Sequence, residues 1–319
     1  MEEKFIPISK ICKLACQTPD QLYQDLPCSD YLSRMNLFKI WGMPYKEIFT
    51  RNCDEGRFIP LTALTDEETT QVVVDKIILL VLQNMRLDHP QKTIANLERC
   101  INEILCNISQ HAEAEKAFCI AQIYPAKNEL QISICDNGIG FGRSFQTSSK
   151  EGMSKALQIG VSSKALGHRG NGIPILIDTI LRNNGKMKIV SMDQSFDGKD
   201  QKETETFQGV SINISINLNN NFDKKGLDDC FHIDPAHYHH YFNRACVEKI
   251  SVKRVNLRSI GQRLHNQVFN LVKAGLKPVL DFSCLETSLS ESFKSEIKII
   301  LSSFPCVKID DPYQAFKFD

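Results

Sequence analysis

The chain reads as an α/β protein of two units, a larger one mixing long helices with strands and a small C-terminal one. Three observations carry this. Helical patterns over Glu67–Leu87 and from about Gln91 to Ala112 run into strands Ala117–Tyr124 and Leu130–Cys135. A third helix, Ile173–Asn183, is followed by strands Lys188–Met192 and Val210–Leu218. After a polar stretch, strand, helix, strand, helix, strand follow in order from Ile250 to Ile309, the pattern of a small mixed or parallel sheet.

At 319 residues there is length for two cores, and 42% hydrophobic with 24% charged residues is the make-up of an ordinary globular protein. The 38 basic and 38 acidic side chains cancel, so net charge gives no drive toward nucleic acid or membrane. The longest apolar run, Ile77–Leu82, is too short to span a bilayer. The first residues lack the basic start and apolar stretch of a signal peptide. Twelve cysteines without a Cys-x-x-Cys pair read as reduced thiols, several of them (Cys106, Cys119, Cys135) as small buried residues. Together these features point to the cytoplasm.

Residues 1–64 form a small mixed segment, with helical patches around Ile8–Cys16 and Asp30–Trp41 separated by prolines. Thr65 or Asp66 can cap the helix at Glu67, whose buried stripe is Val73, Ile77, Leu80 and Val81, and His89-Pro90 ends it. In the strand 130–135, Ile132 and Ile134 share one face. It runs into Asp136-Asn-Gly-Ile-Gly140, after which residues 141–172 turn to Ser, Gly, Lys and Thr, with a helical segment near Ser154–Ile159. That is too long for a passive connector and predicts a lid. Pro174 is tolerated in the first turn of its helix, where N–H groups lack intrahelical partners. Asp193–Glu205 is expected as a polar excursion between the last two strands of the larger unit, and 221–248 as a linker.

Within the second long helix, Glu103, Asn107 and His111 are spaced by four, so each lies only ~40° round from the last. Ile101, Ile104, Leu105 and Ile108 give that helix its apolar surface. A carboxylate and a carboxamide one turn apart can hold a metal ion or activate water; alone, they suit an exposed polar stripe on an amphipathic helix better. Two further signals follow. A strand ends at Asp136 and opens into Gly138 and Gly140, where an aspartate can accept from an exocyclic amine and glycines let the backbone approach a flat ring. Gly167-His-Arg-Gly170-Asn-Gly172 then enters a helix, which presents free N–H groups to phosphate, with Arg169 able to pair with it. Read as a dinucleotide fingerprint this last segment fails, because no strand leads straight into it.

In this order the segments resemble the GHKL ATPases, the group of gyrase, Hsp-type chaperones, histidine kinases and mismatch-repair ATPases. Glu103-Ile-Leu-Cys-Asn107-Ile-Ser-Gln-His111-Ala112 resembles their N-box, Asp136-Asn-Gly-Ile-Gly140 their first glycine box, and Gly170-Asn-Gly172 their second. The likeness covers roughly residues 66–218, about half the chain. It implies a two-layer α/β sandwich, helices on one face of a mixed sheet, over 65–220, with a lid at 141–172. It also implies Mg²⁺-dependent ATP binding. Asn107 would hold Mg²⁺, and Glu103 would be the general base toward water or an acceptor hydroxyl. Asp136 would take the adenine amine, with Gly138 and Gly140 shaping the pocket. Arg169, Gly170, Asn171 and Gly172 would meet the phosphates, and Lys164, in Ser162-Ser163-Lys164, would lie near the γ-phosphate. Where many members have Gly-Thr before the last strand, this chain has Gly209-Val210.

His89 is followed by Pro90, not by the acidic residue that follows a phospho-accepting histidine, and it lacks the helical setting, which argues against a two-component sensor kinase. His232, His237, His239 and His240 crowd the linker without a cysteine or carboxylate at ligand spacing. Residues 249–319 resemble a STAS-like domain of the kind fused to such ATPases. Val279-Leu-Asp281 is a strand ending in an acid, and Ser290 stands where antagonists of anti-sigma factors carry a phosphorylated serine. Their Asp-Ser-Ser-Gly pattern is absent here, and Ser290 reads as a plain helix N-cap. Two function classes remain: an ATPase or serine-type protein kinase, and an ATP-gated switch acting on a protein partner or a second copy of the chain.

Overall fold

The computed structural model describes residues 6–17, 30–48, 56–88, 90–111, 113–162, 172–218, 249–251, 258–283 and 289–310. Three short helices come first: α1 (Ile8–Cys16), α2 (Asp30–Arg34) and α3 (Leu37–Ile40). Strand β1 (Phe58–Ala63) leads into α4 (Glu67–Asn84) and α5 (Pro90–His111). Asp66 is the cap of α4, its carboxylate accepting from the Thr69 amide at 2.7 Å. All four residues expected on the buried stripe of α4 are buried.

Strands β2 (Ala117–Tyr124) and β3 (Glu129–Asp136) form a hairpin over a 3₁₀ turn at Pro125–Lys127, in register from Ala117 opposite Asp136 to Tyr124 opposite Glu129. Helices α6 (Gly140–Ser144), α7 (Ser149–Ala156) and α8 (Gly172–Arg182) precede a second, long hairpin of β4 (Lys186–Phe196) and β5 (Gln201–Asn217). The five strands are ordered β1-β2-β3-β5-β4, and every neighbouring pair is antiparallel. This corrects the expectation of a mixed sheet. β3 and β4 do point the same way, as their helical crossover requires, but β5 is inserted between them and pairs antiparallel with both.

The residues from Asp193 to Glu205 are the second correction. In place of an irregular excursion, they continue the β4–β5 ladder to Phe196 opposite Gln201. Asp197 builds the turn, accepting from the amides of Lys199 (3.1 Å) and Asp200 (3.0 Å), and Gly198 takes φ +94° there. A ladder is made by backbone groups, so polar side chains do not forbid it.

Alternation divides the strands between two cores. Cys119, Ala121 and Ile123 of β2, Leu130, Ile132 and Ile134 of β3, and Ile212, Ile214 and Ile216 of β5 join α4, α5 and α8 in one. Phe118 and Ile120 of β2, Cys135 of β3 and Val190 of β4 face the other way and are covered by α1 and its neighbours. Helices thus cover both faces, not one. The first residues are also less separate than expected: β1 is an edge strand of the main sheet, and that sheet reaches back across the boundary placed at residue 65.

The C-terminal unit has a parallel sheet, β6-β7-β8, from Lys249–Ser251, Val279–Asp281 and Lys308–Asp310. Helices α9 (Arg258–Lys273) and α10 (Glu291–Ser303) connect them. Ser290 caps α10, its hydroxyl accepting from the Phe293 amide at 3.3 Å. The unit is joined to the rest by side chains of α9 at the end of α4. Asn270, fully buried, donates to the carbonyls of Leu82 (2.9 Å) and Met85 (2.8 Å) and accepts from the Leu87 amide (2.9 Å). Asn266 donates to the Gln83 carbonyl at 3.2 Å. The last carbonyls of a helix lack intrahelical donors, and here another helix supplies them. Leu264, Val268 and Leu271 of α9 belong to the same continuous core as α4 and α5.

Candidate functional site

The site is built at the end of β3. Asp136 follows Ile132 and Ile134 on the strand's two-residue period, which assigns it to the sheet face bearing α4, α5 and α8. Its side chain is buried, and both hydrogen bonds reaching it among the described residues end on Oδ1, from the amides of Gly138 (2.9 Å) and Val210 (3.3 Å). Oδ2 is thereby left as an acceptor for an incoming N–H. Burial pushes the Asp136 carboxyl up to about 6, and the two amides only partly offset it. A carboxylate that titrates near neutrality is frequent at functional sites.

Two glycines near it have no room for a side chain. Gly209 has φ +96°, and a Cβ there would run into the Asp136 backbone and carboxylate. Gly140 has φ +70° at the start of α6, and a Cβ there would come within 3.0 Å of Ser191 Oγ and 2.9 Å of Met192 Cγ. Positive φ and lack of space act together at both positions, so glycine is required twice over. Ser191 Oγ in turn accepts from the Phe141 amide at 3.0 Å, pinning the first turn of α6.

The described part of the expected lid carries two helices, α6 and the helical segment expected there, α7. It lies a little earlier than the sequence suggests, at Ser149–Ala156, because Ser148 caps it by accepting from the Glu151 amide (3.2 Å). Gly142 and Gly152 bring α6 and α7 into backbone contact. The β4–β5 arm supports α7: Gln201 donates to the Lys150 carbonyl (2.9 Å) and accepts from the Ser154 hydroxyl (2.9 Å).

Glu103 and Asn107 lie on successive turns of α5, whose Ile101, Ile104 and Leu105 are buried in the core shared with β3. α5 packs against both α4 and α8. The side chains of Glu103 and Asn107 lie outside the described residues. So do Lys164, Arg169, Gly170 and Asn171, and the histidines from 232 to 240. Gly172 is described and opens α8 as a buried residue. The structure therefore places Asp136, Gly138 and Gly140 at one strand end, and puts α5 and the start of α8 on the same face of the sheet. Among the described residues no group of three or more His, Cys, Asp or Glu side chains could hold a metal ion, and no helix is long and apolar enough to cross a membrane.

Sequence reasoning missed three contributors. Gly209 was named only as the residue before the departing Val210 and given no role, although it abuts Asp136. Ser191 and Gln201 carry no motif, and their roles follow from strand register. Compared with known proteins, the chain matches no family model and no curated sequence.

Proposed function

We propose that the chain is a Mg²⁺-dependent ATP-binding protein of the GHKL type that hydrolyses ATP or passes its γ-phosphate to an acceptor hydroxyl. The observation that carries this reading is the buried Asp136 carboxylate. It has one oxygen held by two amides and one free to accept, and two glycines are required beside it. A flat ring with an exocyclic amine is the ligand such a notch fits. Asp136 would accept from the adenine amine, and Gly138 and Gly140 would let the ring lie against the backbone. Asn107 would hold Mg²⁺, which when bound would neutralise phosphate charge. Glu103 would take the proton from water or from the acceptor hydroxyl as it attacks. Lys164, Arg169 and the 170–172 segment would meet the phosphates from the lid.

The buried start of α8 and the contact of α5 with both α4 and α8 support this reading, since α5 and α8 lie over the sheet face to which the strand period assigns Asp136. Incubation with γ-labelled ATP, resolving free phosphate from labelled protein, identifies the acceptor. Glu103→Gln is expected to slow turnover about 100-fold or more while leaving ATP binding within a few-fold. If Glu103→Gln is silent while Asp136→Asn abolishes the effect of ATP, the chain is an ATP-gated switch without turnover.

A further inference from the structure

The β4–β5 hairpin runs on past the Asp136 site as an arm, and its side chains reach the helices beside that site. The ladder changes register twice on the way. Ser191 pairs with Val210, the next residue Met192 with Phe207, and Gln194 with Glu203, so β5 has more residues than β4 over this stretch. Met192 takes φ +56° there and Gly209 φ +96°. Extra residues on one strand re-aim what lies beyond them. The ladder then resumes as far as Phe196 opposite Gln201, and the Lys202 ammonium lies 3.3 Å from the Asp197 carboxylate at the turn. A Cβ on Gly198 in that turn would come within 3.1 Å of Leu181 Cδ2 on α8.

Gln201 uses its whole carboxamide. Its Nε2 donates to the Lys150 carbonyl of α7 and to Oε1 of the buried Gln194, and its Oε1 accepts from the Ser154 hydroxyl of α7, each at 2.9 Å. At the root of the arm, Ser191 Oγ accepts from the Phe141 amide of α6 at 3.0 Å. α6 and α7 are themselves joined. A Cβ on Gly142 would meet the Ser149 backbone, one on Gly152 would meet the Gly142 backbone, and the Thr147 amide donates to the Gly142 carbonyl at 2.8 Å. The hairpin thus holds the α6–α7 pair at two points. α6 opens at Gly140, one of the glycines beside Asp136. α7 has eight residues, short of the ~12–15 at which a helix begins to hold by itself. Its place depends on its attachments, Met153 and Ala156 in the core and the contacts of Gln201.

We propose that Gln201 is a positioning residue for the Asp136 site. Through α7 and α6 it fixes the Gly140 side of the notch, and so sets nucleotide affinity and not the rate of the chemical step. This role rests on the reading of the Asp136 end of β3 as the seat of a nucleotide base. A wall that must be ordered when the ligand arrives takes that cost out of the binding free energy, whereas a wall already held does not. The cost falls equally on the bound substrate and on the transition state, so its loss or gain moves KM and leaves kcat in place. The carboxamide is needed as such. Gln201→Glu keeps the size and the acceptor for Ser154 but loses the donor, and sets a carboxylate oxygen against the Lys150 carbonyl.

The test uses the full chain as wild type, Gln201→Ala, Gln201→Glu and Ser154→Ala. Hydrogen exchange of the ligand-free proteins is followed peptide by peptide. Mg-ATP is then titrated by calorimetry, and turnover of γ-labelled ATP is measured across concentrations. Both Gln201 variants should exchange faster in α7 and around Phe141, while α4 and α5 exchange as in wild type and so report an intact fold. They should bind Mg-ATP about tenfold more weakly, with KM raised by the same factor and kcat within about twofold. Ser154→Ala removes one of the three hydrogen bonds and should weaken binding about twofold, and added to Gln201→Ala it should change nothing further. A wild type that does not bind Mg-ATP sinks the nucleotide reading and the positioning role with it. If wild type binds and the Gln201 variants bind as tightly despite faster exchange in α7, Gln201 merely stabilises that helix, and the positioning role is refuted while the nucleotide reading stands. A loss confined to kcat refutes it in the same way.

Discussion

The two faces of the central sheet are built from different chemistry. The face under α4, α5 and α8 is lined by isoleucine and leucine, with Asp136 at its edge as a buried acid. The face under α1 is lined by Ser133, Cys135, Ser211 and Asn213 as well as Phe118 and Ile120, joined into a hydrogen-bonded network. The first face gains stability from apolar area removed from water, a non-directional effect that tolerates one costly charge. The second depends on directional contacts, each of small net value but specific in geometry. One face thus keeps a buried acid at its edge, and the other meets α1 through directional contacts as well as apolar ones.

The largest expected effect comes from the apolar face. Ile134→Ala, or Ile212→Ala on β5, should lower unfolding free energy by about 2–5 kcal/mol, read by urea denaturation. Asp136→Asn should act in the opposite direction. The folded pKa of about 6 lies above the unfolded value, so the ionised carboxylate opposes folding. That cost is absent below the unfolded pKa, grows toward pH 6 and is complete above it. Asp136→Asn should then stabilise the ligand-free protein by up to about 3 kcal/mol at pH 8 and by nearly nothing at pH 3.5. Removing the α4 cap with Asn270→Ala strips two carbonyls and an amide of their partners in a buried place. It should cost about 2 kcal/mol, and the loss should appear in α4 and α9 together by hydrogen exchange. On the polar face, Ser211→Ala, which removes the contacts of Ser211 with Cys135 and Asn213, should cost only about 1 kcal/mol by the same urea denaturation. An apolar-face variant as mild as Ser211→Ala would erase the contrast between the faces.

Much of this was legible from residue order. The stripe of α4 and its Asp66 cap, the Ile132/Ile134 face, the β-α-β-α-β order of the C-terminal unit and the Ser290 cap are local signals, and each is where the sequence puts it. Asp136 and its glycines were legible as a group because a strand end followed by Gly-Ile-Gly is a local pattern. The rest is set by contacts between distant parts of the chain. That β5 inserts between β3 and β4 depends on which strands meet, and no spacing records it. The arm from Asp193 to Glu205 carries polar side chains in a ladder made by backbone. Cys12 is more than a hundred residues from Phe118 and Ser133, whose carbonyls its thiol reaches only in the folded chain. Gly209 could have been suspected as a glycine just before a strand, but its reason, contact with Asp136, exists only in three dimensions.

The central claim is that the Asp136 end of β3 holds the base of ATP. Calorimetric titration of wild type and Asp136→Asn with Mg-ATP, at pH 8 and pH 5, tests it most directly. Wild type should bind at pH 8 and lose about tenfold in affinity at pH 5, as the carboxylate with its pKa near 6 takes up a proton. Asp136→Asn, folded and at least as stable, should bind at least 100-fold more weakly at pH 8 and show no such dependence on pH. Equal affinity in wild type and Asp136→Asn at both pH values would contradict the claim.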